Sequence, residues 1–144
     1  MKQLLFIISF FALLSHKSIA AETTIPSTIL HSFYSSFAEA KDVSWEQKDE
    51  LTVASFYLDG IKKYAYYSEA AELLVVAENI TLAQLPASLH AQLQEKFGKY
   101  TISEAFKIKG VHGMRYSVIL ESVKEKVFLS SADGDWEVAK RTRK

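Results

Sequence analysis

Three features of the sequence predict an α+β fold in which two helices pack on one face of a seven- to eight-stranded, mostly antiparallel sheet. The first is a hairpin. Thr52–Leu58 alternates apolar and polar residues, Ile61–Tyr67 is rich in tyrosine, and Asp59-Gly60 lies between them. Alternation with a period of two suits a half-buried strand, and Asp-Gly tolerates the positive φ angles of a tight turn. The second is a stripe of apolar residues at every fourth position, Ile29, Phe33 and Phe37, which returns as Leu89, Leu93 and Phe97. The third is repetition. Helix, strand and hairpin occur twice in the same order, and the two stripes are offset by 60 residues.

The elements follow in order. Lys2, the apolar core Leu4–Leu14 and the small residues of Ser18-Ile19-Ala20 read as a secretory signal cleaved between Ala20 and Ala21. Eleven apolar residues are too few to span a bilayer comfortably, so no stable membrane anchor is expected after cleavage. The rest, 21–144, reads as a single domain of two repeats, about 26–80 and 85–138. Pro26 or Ser27 opens the first helix. Val43–Glu46 is a first short strand with Trp45 pointing inward, and the central hairpin follows. Leu73–Ala77 is the next long strand. Pro86 starts the second helix and Gly98 lies past its end. Lys99–Ile108 contains a strand, Gly110–Gly113 is a loose turn, and Tyr116–Leu120 with Val123–Ser130 forms the second hairpin. Asp133-Gly134 turns into a short last strand, and the basic run Lys140–Lys144 is expected to be a solvated tail.

Composition narrows the function. Loss of residues 1–20 removes Lys2 and Lys17 and no acid, leaving 15 basic residues against 17 acidic ones. That balance argues against a nucleic-acid partner. Cysteine is absent, so an exported form of this chain is held by packing alone. His31, His90 and His112 show no metal-ligand spacing, no serine sits in a nucleophile elbow, and glycines are too scattered for a phosphate loop. Asp133-Gly134-Asp135 lacks the further oxygen ligands of a calcium loop. No catalytic residue, metal site or cofactor is therefore expected.

The run Phe37-Ala-Glu-Ala-Lys-Asp-Val-Ser-Trp-Glu46, the hairpin after it, Leu85–Leu89 through Phe97–Ile102, and Ser131-Ala-Asp-Gly134 together resemble the PepSY-like, beta-lactamase-inhibitor-like proteins of bacterial envelopes. The resemblance covers roughly Pro26 to Val138. It implies a tandem helix-plus-sheet fold, export to the periplasm or beyond, and binding or inhibition of another protein without catalysis. The chain departs from that pattern at Ser68–Ala71, where an Asp-Gly turn is expected, and at Ala105, which stands where the first repeat has Trp45. It also lacks the disulfides of the true inhibitors.

If Ala54, Phe56, Leu58, Ala65 and Tyr67 face the helices, then Val53, Tyr57, Tyr64 and Tyr66 line the opposite side of the hairpin. Tyrosine offers a large rigid ring with a polar tip, so these four are the candidate contact surface for an envelope protein. The competing expectations are a small-ligand or sensing domain that holds an apolar molecule between helix and sheet, and, behind it, an enzyme with an unrecognised site built on His31, His90 or His112.

Overall fold

The Asp59-Gly60 hairpin forms as its sequence requires. The computed structural model describes residues 24–144, and in it Asp59 has φ +52° and Gly60 φ +76°. This pair of left-handed residues makes a turn whose twist matches the strands it joins. The expected signal segment and the expected cleavage position between Ala20 and Ala21 lie outside the described residues.

The chain runs α1 (Ser27–Ser36), β1 (Lys41–Lys48), β2 (Leu51–Leu58), β3 (Ile61–Tyr67), β4 (Leu73–Asn79), a 3-10 turn (Leu82–Gln84), α2 (Ala87–Phe97), β5 (Thr101–Gly110), β6 (Gly113–Glu121), β7 (Glu125–Ala132) and β8 (Asp135–Arg143). The strands form one eight-stranded antiparallel sheet in sequence order, from β1 to β8. This is the expected α+β class. Contacts divide the described chain into two compact units. One is the residues up to Asn79 with Ile108–Met114; the other is Ile80–Lys107 with Arg115–Lys144.

In the first unit, α1 lays Ile29 and Phe33 on Ala54 and Phe56 of β2 and Ala65 and Tyr67 of β3. Phe33 is the hub. Its ring centroid lies 5.0 Å from Trp45 and 5.0 Å from Phe56, both edge-on, and 5.4 Å from Phe37. Edge-to-face packing adds to what burial alone supplies. Trp45 thus points inward, as its place in the alternation predicts.

The second unit buries Leu89 and Leu93 of α2 against Ala105, Val118, Leu120, Val127, Leu129 and Trp136. Its large aromatic comes from β8, not from the β5 position held by Ala105. The Trp136 indole Nε1–H donates to the Leu89 carbonyl at 2.8 Å, so a buried polar atom is satisfied and α2 is tied to the sheet. Gln92 completes the tie: its amide donates to the Gly134 carbonyl at 3.0 Å and its oxygen accepts from Trp136 N–H at 3.3 Å. Asp133 (φ +50°) and Gly134 (φ +86°) form a second left-handed pair in that turn.

Several local expectations are corrected. Pro26 and Pro86 flank their helices as N-cap residues, and no side chain caps either helix. Their carbonyls accept the first helical bonds instead, from Ile29 and Leu30 N–H and from His90 N–H. Gly98 has an ordinary φ; a Cβ there would meet the Gln94 carbonyl at 2.7 Å, so close approach and not turn geometry favours glycine. The largest correction concerns the basic end. Lys140–Arg143 is not a tail but the second half of β8, nine residues long, and Arg141 and Lys144 reach back to Glu125 and Glu121 at 3.0 Å each. A charged strand reads as a tail because edge strands need not show an apolar alternation.

Phe33→Ala removes the ring at the centre of the first unit. It should lower unfolding free energy by about 3–5 kcal/mol, measured by urea denaturation followed by far-UV circular dichroism.

Candidate functional site

The candidate surface is built by the register of β2 and β3. The turn pairs Leu58 with Ile61, so Tyr57 faces Lys62, Ser55 faces Tyr64 and Val53 faces Tyr66. Ala54, Phe56, Ala65 and Tyr67 are consumed by the α1 side. By alternation, Val53, Tyr57, Tyr64 and Tyr66 share the other face. They differ in access. Val53 and Tyr66 are 4% and 3% exposed, Tyr64 is half-buried, and Tyr57 is 41% exposed.

Burial separates the four into a floor and an accessible rim. Val53 and Tyr66 are the floor, flanked in register by Glu46 on β1 and Val75 on β4. Burial pushes the Tyr66 hydroxyl well above its ordinary pKa, and the neighbouring Tyr64 and Glu46 add to the shift. At the rim, Lys62 Nζ lies 4.8 Å from the Tyr57 ring centroid and 5.8 Å from that of Tyr64. The cation is held over two π faces, which fixes the side chain without neutralising it. Ser44 and Ser55 lie across the β1–β2 ladder with their hydroxyls 2.6 Å apart. The result is a patch of aromatic ring, ammonium and hydroxyl groups. Such a patch can make apolar contact and donate hydrogen bonds, but it contains no nucleophile–base pair.

Lys62 was absent from the sequence-derived site. Its signal was present, because a two-residue Asp59-Gly60 turn dictates that Tyr57 pairs with Lys62.

The remaining candidates do not assemble. His31 and His112 are exposed, and His90 is half-buried on α2. Among the described residues, no three His, Cys, Asp or Glu side chains are grouped to hold a metal. The space between α1 and its strands is filled by Phe33, Phe37, Phe56 and Trp45, with ring centroids about 5 Å apart. A cavity of about 210 Å³ lies beside it, lined by Pro26, Ile29, Gln47, Asp49, Glu50, Thr52 and Glu69. Three carboxylates make that lining unsuited to an apolar ligand. No described helix is long and apolar enough to cross a membrane.

No family model matches the chain. No curated protein matches it either. Solved structures do. A protein of Bacteroides eggerthii, inferred to be periplasmic, aligns with a TM-score of 0.74 at 14% identity, covering 84% of this chain and 90% of that one. A BLIP-like protein of Bacteroides fragilis aligns with a TM-score of 0.66 at 19% identity, covering 85% and 89%. A DUF2874 family protein of Bacteroides uniformis aligns with a TM-score of 0.72 at 11% identity, covering 83% and 90%. At these identities the likeness establishes the fold. A BLIP-like fold, one part of the expected resemblance, is supported; the PepSY part is not shown.

The buried tyrosines give the hairpin a pH limit. Burial raises the Tyr67 pKa from 10.0 to about 12, and the nearby Ser32 hydroxyl only partly offsets it. The Tyr67 oxygen has no well-formed hydrogen bond among the described residues. In the unfolded chain the phenol ionises near pH 10, so between about 10 and 12 the folded state holds the extra proton. Stability from this group is therefore complete below pH 10 and lost as pH rises towards 12. Urea midpoints measured from pH 9 to 11.5 should fall, and Tyr67→Phe should flatten that fall.

Proposed function

We propose that this chain is a non-enzymatic module of the bacterial periplasm that binds another envelope protein through the rim of the β2–β3 hairpin. The observation that carries this reading is Tyr57. It is a large aromatic left 41% exposed on a strand whose other residues are largely buried, and it stands beside an ammonium fixed over its ring. Tyrosine and cation–π groups are enriched where proteins meet, because they add area and a polar tip at little entropic cost. A flat patch with hydroxyl and ammonium groups suits a protein surface better than a small molecule, which needs a concave, mostly apolar site.

Two further points support it. The export signal read at Leu4–Ala20 and the periplasmic description of a fold neighbour agree on compartment. One fold neighbour is described as BLIP-like, and the resemblance read from Phe37–Glu46 implies binding or inhibition of another protein. Val53 and Tyr66 support the surface from beneath, Tyr57 and Lys62 make the contact, and the half-buried Tyr64 flanks them at the rim. The reaction repertoire is empty on this reading: no catalytic residue, metal or cofactor takes part.

The test uses the host's envelope fraction and the purified protein as bait, with Tyr57→Ser/Lys62→Glu as control. Both substituted residues are at the rim, so the circular dichroism spectrum and urea midpoint should be unchanged. Recovery of the partner should fall about tenfold or more. Equal recovery by both baits would refute this surface.

A further inference from the structure

Among the described residues, β8 ends the strand order and is hydrogen-bonded along one side only, to β7. Its outer side therefore presents unpaired backbone N–H and C=O groups, a template for another strand. The side chains of this strand are segregated by sign. Asp135 and Glu137 occupy one half, Lys140, Arg141 and Arg143 the other, and Val138 and Ala139 lie between them. Asp135, Glu137 and Arg143 are exposed and form no ion pair among the described residues. Val138, at the centre, is 45% exposed.

We propose that β8 is the interface of a symmetric dimer, pairing antiparallel with β8 of a second copy. A two-fold axis normal to the strand, between positions 138 and 139, lays the acidic half of each strand along the basic half of the other. The β7–β8 ladder makes this register consistent. Phe128 pairs with Lys140 and Leu129 with Val138, so Ala139 is an extra residue. The bulge puts Glu137, opposite Ser130, and Lys140, opposite Phe128, on the same face. Across the axis each Glu137 then faces Lys140 of the partner subunit, and each Val138 lies against Ala139 of the partner subunit. Lys140 is already positioned, its Nζ 5.9 Å from the Phe128 ring centroid.

The charge pattern selects this occupant. A uniformly acidic strand would meet Asp135 and Glu137, and a uniformly basic one would meet the cations of the other half. Only a strand with the same division, run antiparallel, lays an acidic half along a basic half on both sides of the axis. One pair of edge strands buries little area, which places the dimer in the micromolar range.

Sedimentation velocity of the purified protein from about 1 to 200 μM covers that range. The wild type should pass from monomer to dimer, less readily at high salt. Glu137→Lys and Lys140→Glu each set like charges against each other at two symmetric positions. Each should raise the dissociation constant about tenfold or more. An equimolar mixture of the two variants should recover the dimer, because one then presents cations at both positions and the other anions. Circular dichroism verifies that each variant is folded; if one is not, the double reversal E137K/K140E in a single chain replaces the mixture and should dimerise like the wild type. A wild type that stays monomeric throughout, a dimer indifferent to the single reversals, or a mixture and double variant that stay monomeric would each overturn the proposal.

Discussion

The left-handed pair Asp59-Gly60 decides more of this molecule than any single packing contact. A two-residue turn leaves one register for the strands it joins, Leu58 opposite Ile61. From there alternation does the sorting. Ala54, Phe56, Ala65 and Tyr67 go to the α1 side and build the first core. Val53, Tyr57, Tyr64 and Tyr66 go to the other. A slip of one residue would exchange Phe56 with Tyr57 and leave Phe33 facing Ser55, Lys62 and tyrosine hydroxyls in place of Ala54, Phe56 and Ala65. The same register sets Lys62 beside Tyr57. Core and candidate surface are consequences of one turn.

The two units solve the same packing problem with different residues. In the first, Trp45 reaches in from β1 and stacks edge-on against Phe33. In the second, the matching β5 position is Ala105, and the large aromatic is Trp136 from β8. The exchange changes the kind of cohesion. The first core is held by a cluster of four rings, whereas the second adds directed hydrogen bonds from Trp136 to Leu89 and through Gln92 to the Asp133-Gly134 turn. A buried indole needs an acceptor for its N–H, and the helix backbone supplies one. Without cysteine, both units depend on such packing.

The two proposed contact surfaces differ in chemistry. The hairpin rim offers an aromatic ring and a fixed ammonium, suited to the irregular face of a different protein. The β8 edge offers backbone groups and a divided row of charges, suited to a strand like itself. Its cations are partly restrained by Glu125 and Glu121, with the Tyr100 hydroxyl donating to Glu125 at 2.6 Å. That network lowers the Glu121 pKa, chiefly through hydrogen bonds from Lys126 and Lys144. It keeps the end of β8 in the sheet despite its charge.

The sequence by itself determined the α+β class, the two helices, the central hairpin and the division of its faces. Each of these follows from local periodicity: a step of about four residues on Ile29, Phe33 and Phe37, and a step of two on Ala54, Phe56 and Leu58. It also showed which four side chains share the candidate face. Tertiary structure decided which of those four can be touched, because exposure depends on neighbouring strands and not on the residue's own strand. Val53 and Tyr66 are covered while Tyr57 is not. It likewise turned the basic run from an expected tail into β8, since a strand at a sheet's edge is defined by the ladder it joins and leaves no apolar alternation to read. Lys140 and Arg141 are strand residues only because Phe128 and Val127 lie opposite them.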